Sequence, residues 1–221
     1  MITNCLLNRI AALKKRGGFT LVELLVVIAV IAILAGVALG PITNGIKQAK
    51  HNASMQQARQ IGQVAFAYAS DNTQNGNTYP AGTDAPTVAN MLINSNYVTD
   101  PSLFCVSGAA GGQIAASGGS SITTTNITYV FTCRTTNSLG GVTSAASDLL
   151  PLIFFSGVTA TVNTAGSTAT VSTGAPFGTD GSAVFYKGNN AAYLKAISAS
   201  IPNFVSPNYN DTTSTTYQIA Q

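Results

Sequence analysis

Charge is what this 221-residue sequence has least of. Only 8% of its residues are Asp, Glu, Lys or Arg, where about 25% is usual for a soluble domain. Ser, Thr, Asn, Gly and Ala make up the balance, so the surface is polar without being ionic and is poorly suited to strong electrostatic steering. Basic residues are scarcest after Ser70, where Arg134, Lys187 and Lys195 stand against six aspartates. Nucleic-acid binding needs a basic face, and no nucleic-acid partner is expected. The formal charge of +3 is an N-terminal property: Arg9, Lys14, Lys15 and Arg16 precede Phe19, and without them six basic residues face seven acidic ones, a net of −1.

Histidine is nearly absent too. His51, the single one, lies beside Lys50 and reads as a solvated surface residue, with no nucleophile and carboxylate nearby for a Ser-His-Asp arrangement. Of three cysteines, Cys5 precedes a long apolar run, and the two that follow it, Cys105 and Cys133, are too few for a structural zinc site. The aspartates show no calcium-loop spacing. A non-enzymatic chain without cofactor or metal is expected.

What the sequence does have is one long hydrophobic run. From Leu24 to Leu39 no side chain is charged or polar; as a helix these residues rise about 24 Å, and 19–39 rise roughly 30 Å, enough to cross a bilayer's hydrocarbon core. One carboxylate, Glu23, sits near the start of the run. A secretory signal peptide would have an apolar core of only about 7–15 residues, and Pro41 directly after Ala38-Leu39-Gly40 would hinder cleavage there. A plain uncut anchor is the other alternative. The tight basic cluster at 14–16 places the N-terminus in the cytoplasm. Beyond the membrane, Cys105 and Cys133 are either an oxidised pair, worth roughly 3–4 kcal/mol in the chain-entropy model, or two buried thiols.

After Pro41 the pattern becomes amphipathic, with Ile42, Ile46, Ala49, Ala53, Ile61, Val64 and Tyr68 near one face. One helix over 19–70 is expected, roughly 75–80 Å if continuous. Its weak point is the stretch holding Gly36, Gly40, Pro41 and Gly45, where a kink or a melted segment is expected. Turn formers at 71–77 end the helix. A short helix is expected over 87–94, β-strands within 122–132, 150–162 and 169–172, a hairpin joining 183–186 to 191–197, and a coil wrapping a sheet edge from 202 onward. The fold class is α+β: a basic leader at 1–18, a helix at 19–70 with a transmembrane half at 19–40, and a β-rich head at 71–221.

The segment Gly17-Gly18-Phe19-Thr20-Leu21-Val22-Glu23, behind a basic leader and ahead of an apolar run, resembles the processing site of type IV pilins and of the pseudopilins of type II secretion systems. The resemblance implies cleavage between Gly18 and Phe19 by a prepilin peptidase and N-methylation of Phe19. It also implies polymerisation with identical subunits into a helical filament, helped by inner-membrane assembly machinery; the alternatives are a minor, tip-located pseudopilin or adhesin and a membrane-tethered surface protein that never assembles. On this view membrane lipid surrounds the helix only before assembly, and the filament then lies at the cell surface or in the periplasm. It implies for Glu23 a partner in the Phe19 amine of a neighbouring subunit, against the alternative of a carboxylate that snorkels to the headgroups. Tyr68-Ala69-Ser70-Asp71-Asn72 followed by Tyr79-Pro80 is similar to the helix end of many pseudopilins, and Leu103-Phe104-Cys105-Val106-Ser107 to a Phe-x-Cys-Pro-Ser segment of a pseudopilin-like group. Three departures stand out. Phe177 replaces that group's histidine, Lys187 replaces its aspartate, and Gly40 occupies the usual place of a proline that falls here at Pro41.

Overall fold

This computed structural model describes residues 18–106, 121–134, 141–211 and 216–220; all of the leader expected at 1–18 except Gly18, and most of the Gly/Ser-rich loop after Val106, lie outside the described residues. The architecture is α+β and pilin-like: a 51-residue helix, α1 (Leu21–Asp71), precedes an antiparallel β region. Two compact units divide inside that helix, one ending at Gln48 and the other starting at Ala49.

In the first unit every described side chain is exposed. A helix that is apolar all round finds its cover in lipid or in other protein. Of the two alternatives expected at 36–45, the melted segment is not present: α1 runs through Pro41 as helix. Proline removes one backbone hydrogen bond and crowds the preceding turn, but the bonds of the neighbouring turns remain. Thr43 Oγ1 donates to the Gly40 carbonyl at 2.9 Å, adding a bond in the turn that proline weakens.

In the second unit α1 buries Ser54, Ala58, Ile61, Gly62, Ala65 and Ala69. Their three- and four-residue steps place them on one face. Five of the six are small, so the helix backbone can lie close to what it covers. At Gly62 an added Cβ would overlap the ring of Phe185.

Phe185 belongs to a five-stranded antiparallel sheet in the order β6-β5-β2-β1-β8. Its strands are β1 (Tyr129–Arg134), β2 (Pro151–Phe155), β5 (Gly181–Tyr186), β6 (Asn190–Lys195) and β8 (Tyr217–Ala220). Tyr129 pairs with Phe155, Phe131 with Ile153, and Ile153 with Phe185, so these side chains share the face toward α1. Tyr129 confirms the placement: its hydroxyl donates to the Ser54 carbonyl at 2.9 Å. The opposite face carries Val130, Phe154 and Val184, and Phe204 from the tail packs edge-on against Phe154 at 5.1 Å. Both faces are covered, which is why β2 reads Pro-Leu-Ile-Phe-Phe without alternation. A second sheet pairs β3 (Val158–Ala160), β4 (Ala169–Val171) and β7 (Ser200–Ile201) in the order β3-β4-β7.

Helix α2 (Ala85–Asn94) starts as its sequence suggests: Asp84 caps it by accepting from Thr87 N, and proline sits in its first turn. The expected strand at 122–132 begins only at Tyr129. Upstream, Thr123 and Asn126 bond to each other through side chain and backbone, an alternative that short polar side chains offer the chain in place of a ladder. The run at 150–162 is cut by a turn at Ser156-Gly157, where Gly157 has φ +77°. Glycine tolerates that conformation freely, and the chain leaves one sheet for the other. The hairpin stands as expected, β5 pairing with β6 from Gly181↔Lys195 to Tyr186↔Asn190. The tail differs from the expected coil, because β8 bonds to β1 as an edge strand.

Candidate functional site

Gly18, Phe19 and Thr20 lie outside the helix and are exposed, Phe19 at 81%. Thr20 is the helix cap. Its carbonyl accepts from Leu24 N at 3.2 Å and its Oγ1 accepts from Glu23 N at 3.2 Å. Glu23 reaches back: its Oε2 accepts from Thr20 N at 2.8 Å and from Thr20 Oγ1 at 2.9 Å. This is a reciprocal capping box, in which a Thr and a Glu three residues later satisfy donors the helix start leaves open. The Thr-x-x-Glu spacing ahead of an apolar run is a readable helix-start signal, and Thr20 is the capping residue it marks. The lone carboxylate of the run is therefore bonded within its own chain. The cap also fixes where the helix begins, leaving the Gly18-Phe19 junction outside it.

Gly36, Gly40, Pro41 and Gly45 follow on exposed helix. Nothing lies within 4 Å of a Cβ built at any of the three glycines, so no contact in the described chain requires them to be small.

Cys105 and Cys133 are both buried free thiols, the second of the two arrangements expected for them, and not the disulfide. The register explains it. Thr128 N donates to the Phe104 carbonyl at 3.0 Å, and Val106 N donates to Thr128 Oγ1 at 2.9 Å, so Cys105 sits beside residue 128. Cys133 lies five residues further along extended chain and strand. At about 3.3 Å per residue that is roughly 16 Å, and a disulfide tolerates only about 4.4–6.8 Å between Cα atoms. Burial pushes both thiols up, most strongly opposing the thiolate form.

His51 is not the solvated residue expected. It is half-buried, its ring stacked on Tyr193 at 4.0 Å and 10° and tilted against Phe177 at 5.2 Å. Phe155 joins both of those rings, at 5.6 Å from Phe177 and 6.4 Å from Tyr193. Gln57 anchors the same helix further on, its Nε2 donating to the Cys105 carbonyl at 3.0 Å. Lys187 is paired with Asp148 at 2.7 Å and is itself nearly buried. Two of the three departures from the resembled pattern thus have local roles, Phe177 in an aromatic cluster and Lys187 in an ion pair.

The apolar first half of α1, exposed throughout and capped so that Gly18 and Phe19 precede it, fits membrane anchoring of an α+β head. Residues 13–39 match the family model described as the prokaryotic N-terminal methylation motif, which supports a protein of the type IV pilin or pseudopilin type. No curated protein and no solved structure matches the chain.

Proposed function

We propose that this chain is a non-catalytic structural subunit of a pilus or pseudopilus. A prepilin peptidase would cut it between Gly18 and Phe19, Phe19 would be N-methylated, and inner-membrane machinery would assemble it with identical copies. The observation that carries this reading is the apolar face of α1. Leu21, Val37 and Leu39 are 87%, 75% and 62% exposed, and nothing in the described chain covers them. Lipid suits that surface before assembly and a bundle of like helices after it.

Glu23 gains a specific role. In the single chain Thr20 satisfies its carboxylate, so the subunit can wait in a bilayer without an unbonded charge. The new Phe19 amine of a neighbouring copy is proposed as its partner in the filament. Mass spectrometry of the surface fraction tests the reading: a chain beginning at methylated Phe19 is expected. An intact Met1 would overturn it. Glu23→Ala should be cleaved normally yet fail to enter filaments, and normal filaments from that variant would refute the pairing.

A further inference from the structure

We propose that a cavity on the head, walled by Phe66, Asn77, Tyr79, Ser144, Asp148 and Lys187, binds a neutral sugar residue of a glycan. This goes beyond the filament reading and does not depend on it. The cavity holds about 320 Å³, inside the range of roughly 300–1,000 Å³ usual for small-ligand sites. Four stretches converge on it: the end of α1, the turn after it, the loop before β2 and the turn between β5 and β6.

One wall is an aromatic ring in water. Phe66 is 59% exposed, although Ala65 and Ala69 beside it are buried. The remaining phenylalanines of the head that are fully buried, such as Phe154 and Phe185, show where a purely structural ring goes in this fold. An exposed ring offers an apolar platform with a polarised face, suited to the C–H face of a pyranose.

Facing it are polar groups held in place. Asp148 Oδ1 is fixed by Lys187 Nζ at 2.7 Å, and its backbone carbonyl accepts from Gly188 N at 2.8 Å. The lysine side chain is only 9% exposed and the aspartate 75%, so the counter-ion lies beneath and the carboxylate faces water. Asp148 Oδ2 has no hydrogen-bond partner among the described residues and is available to a ligand hydroxyl. Asn77, in a left-handed turn conformation with φ +54°, brings a carboxamide that can both donate and accept. Burial and the Asp148 charge push the Tyr79 hydroxyl up, keeping it a donor at neutral pH.

The charge pattern selects the ligand class. Among the described residues lining the site the one cation, Lys187, is nearly buried and already paired, so an anion meets only the Asp148 carboxylate. A single carboxylate is too few for a metal site. Paired acceptor and donor groups opposite an aromatic face suit adjacent hydroxyls on an uncharged ring.

The test is saturation-transfer NMR on the full chain in a detergent that carries no sugar, with D-galactose, D-mannose and N-acetyl-D-glucosamine as probes. Saturable transfer from at least one probe is expected. Phe66→Ala and Asn77→Gly, a surface change and one that keeps the left-handed turn conformation, should each weaken it by about tenfold, while Ile197→Ala, elsewhere on the surface, should not. Absence of transfer from all three probes would overturn the proposal, as would wild-type binding by both cavity variants. Loss of transfer on assembly, with cross-linking through position 66, would assign the surface to a second copy instead. Because the probes are read on unassembled protein, failure here leaves the filament reading standing.

Discussion

Replacing Gly62 with alanine sets two physical effects against each other, and the structure decides the sign. In an exposed helix interior the change stabilises by roughly 0.8–1 kcal/mol, because alanine loses less backbone freedom on folding. At Gly62 the new methyl would overlap three atoms of the Phe185 ring. That ring is 1% exposed and lies beside Ile153, so it cannot swing into solvent. Either α1 lifts from the sheet or the ring leaves its rotamer, and overpacking of this kind costs about 1–3 kcal/mol. An overlap with buried ring carbons belongs at the upper end, so the net destabilisation is about 2 kcal/mol. For a chain this size it lowers Tm by roughly 4–8 °C. The assay is thermal unfolding of the full chain in detergent, followed by near-ultraviolet circular dichroism, which reports aromatic packing. Adding Phe185→Leu should recover part of the loss in the double variant, because the smaller side chain leaves room for the methyl. A Gly62→Ala protein more stable than the parent would show that propensity governs the site and that α1 does not approach the sheet this closely.

Asp84→Ala should destabilise by about 0.5–2 kcal/mol through loss of the α2 cap, with Asp84→Ser close to the parent, as read by denaturant unfolding. Hydrogen bonds from the Thr87 backbone N–H and side chain, then from Thr83, hold the Asp84 carboxyl below its usual range. Its contribution is therefore complete above the ordinary aspartate pKa near about 4 and is lost as pH falls through the lower folded value. The capped protein should approach the stability of Asp84→Ala only in strong acid. Cys105 and Cys133 should resist alkylation in the folded protein and react fully after denaturation. A mass lower by two hydrogens, mapped to a peptide joining them, would refute the free-thiol arrangement.

Local chemistry made much of this legible in advance. The Asp84-Ala85-Pro86 start, the β5–β6 hairpin and the end of α1 each depend on residues close together in sequence, and each formed as expected. What sequence obscured depends on distant partners. Thr123 and Asn126 carry β-favouring neighbours, yet they bond to each other and delay β1 to Tyr129. The tail reads as polar coil until β1 supplies an edge for Tyr217–Ala220. His51 looks like any polar helix residue, and only the register of β6 puts Tyr193 under its ring. Two cysteines in a chain expected to be exported in part suggest a bridge, but their separation in the fold is a tertiary fact. Thr20 is the opposite case, since its three-residue spacing to Glu23 is a local signal that needs no distant partner.

The glycines of α1 make the same distinction between what a chain explains and what it leaves to its surroundings. Gly62 touches Phe185 and is explained within the subunit. Gly36, Gly40 and Gly45 touch nothing among the described residues beyond their own helix, although each weakens a helix that already carries Pro41. If only the isolated subunit mattered, Gly36→Ala would be a plain gain of about 0.8–1 kcal/mol in local helix stability, visible as slower amide exchange around residue 36 in detergent. We expect that gain, with the head unchanged. If small residues there let neighbouring helices approach, as they do between membrane helices, Gly36→Leu should fold and be cleaved like the parent but assemble poorly. Filaments of normal abundance and diameter from Gly36→Leu would show that no helix packs against that notch, and that the glycine answers to neither the subunit nor the polymer.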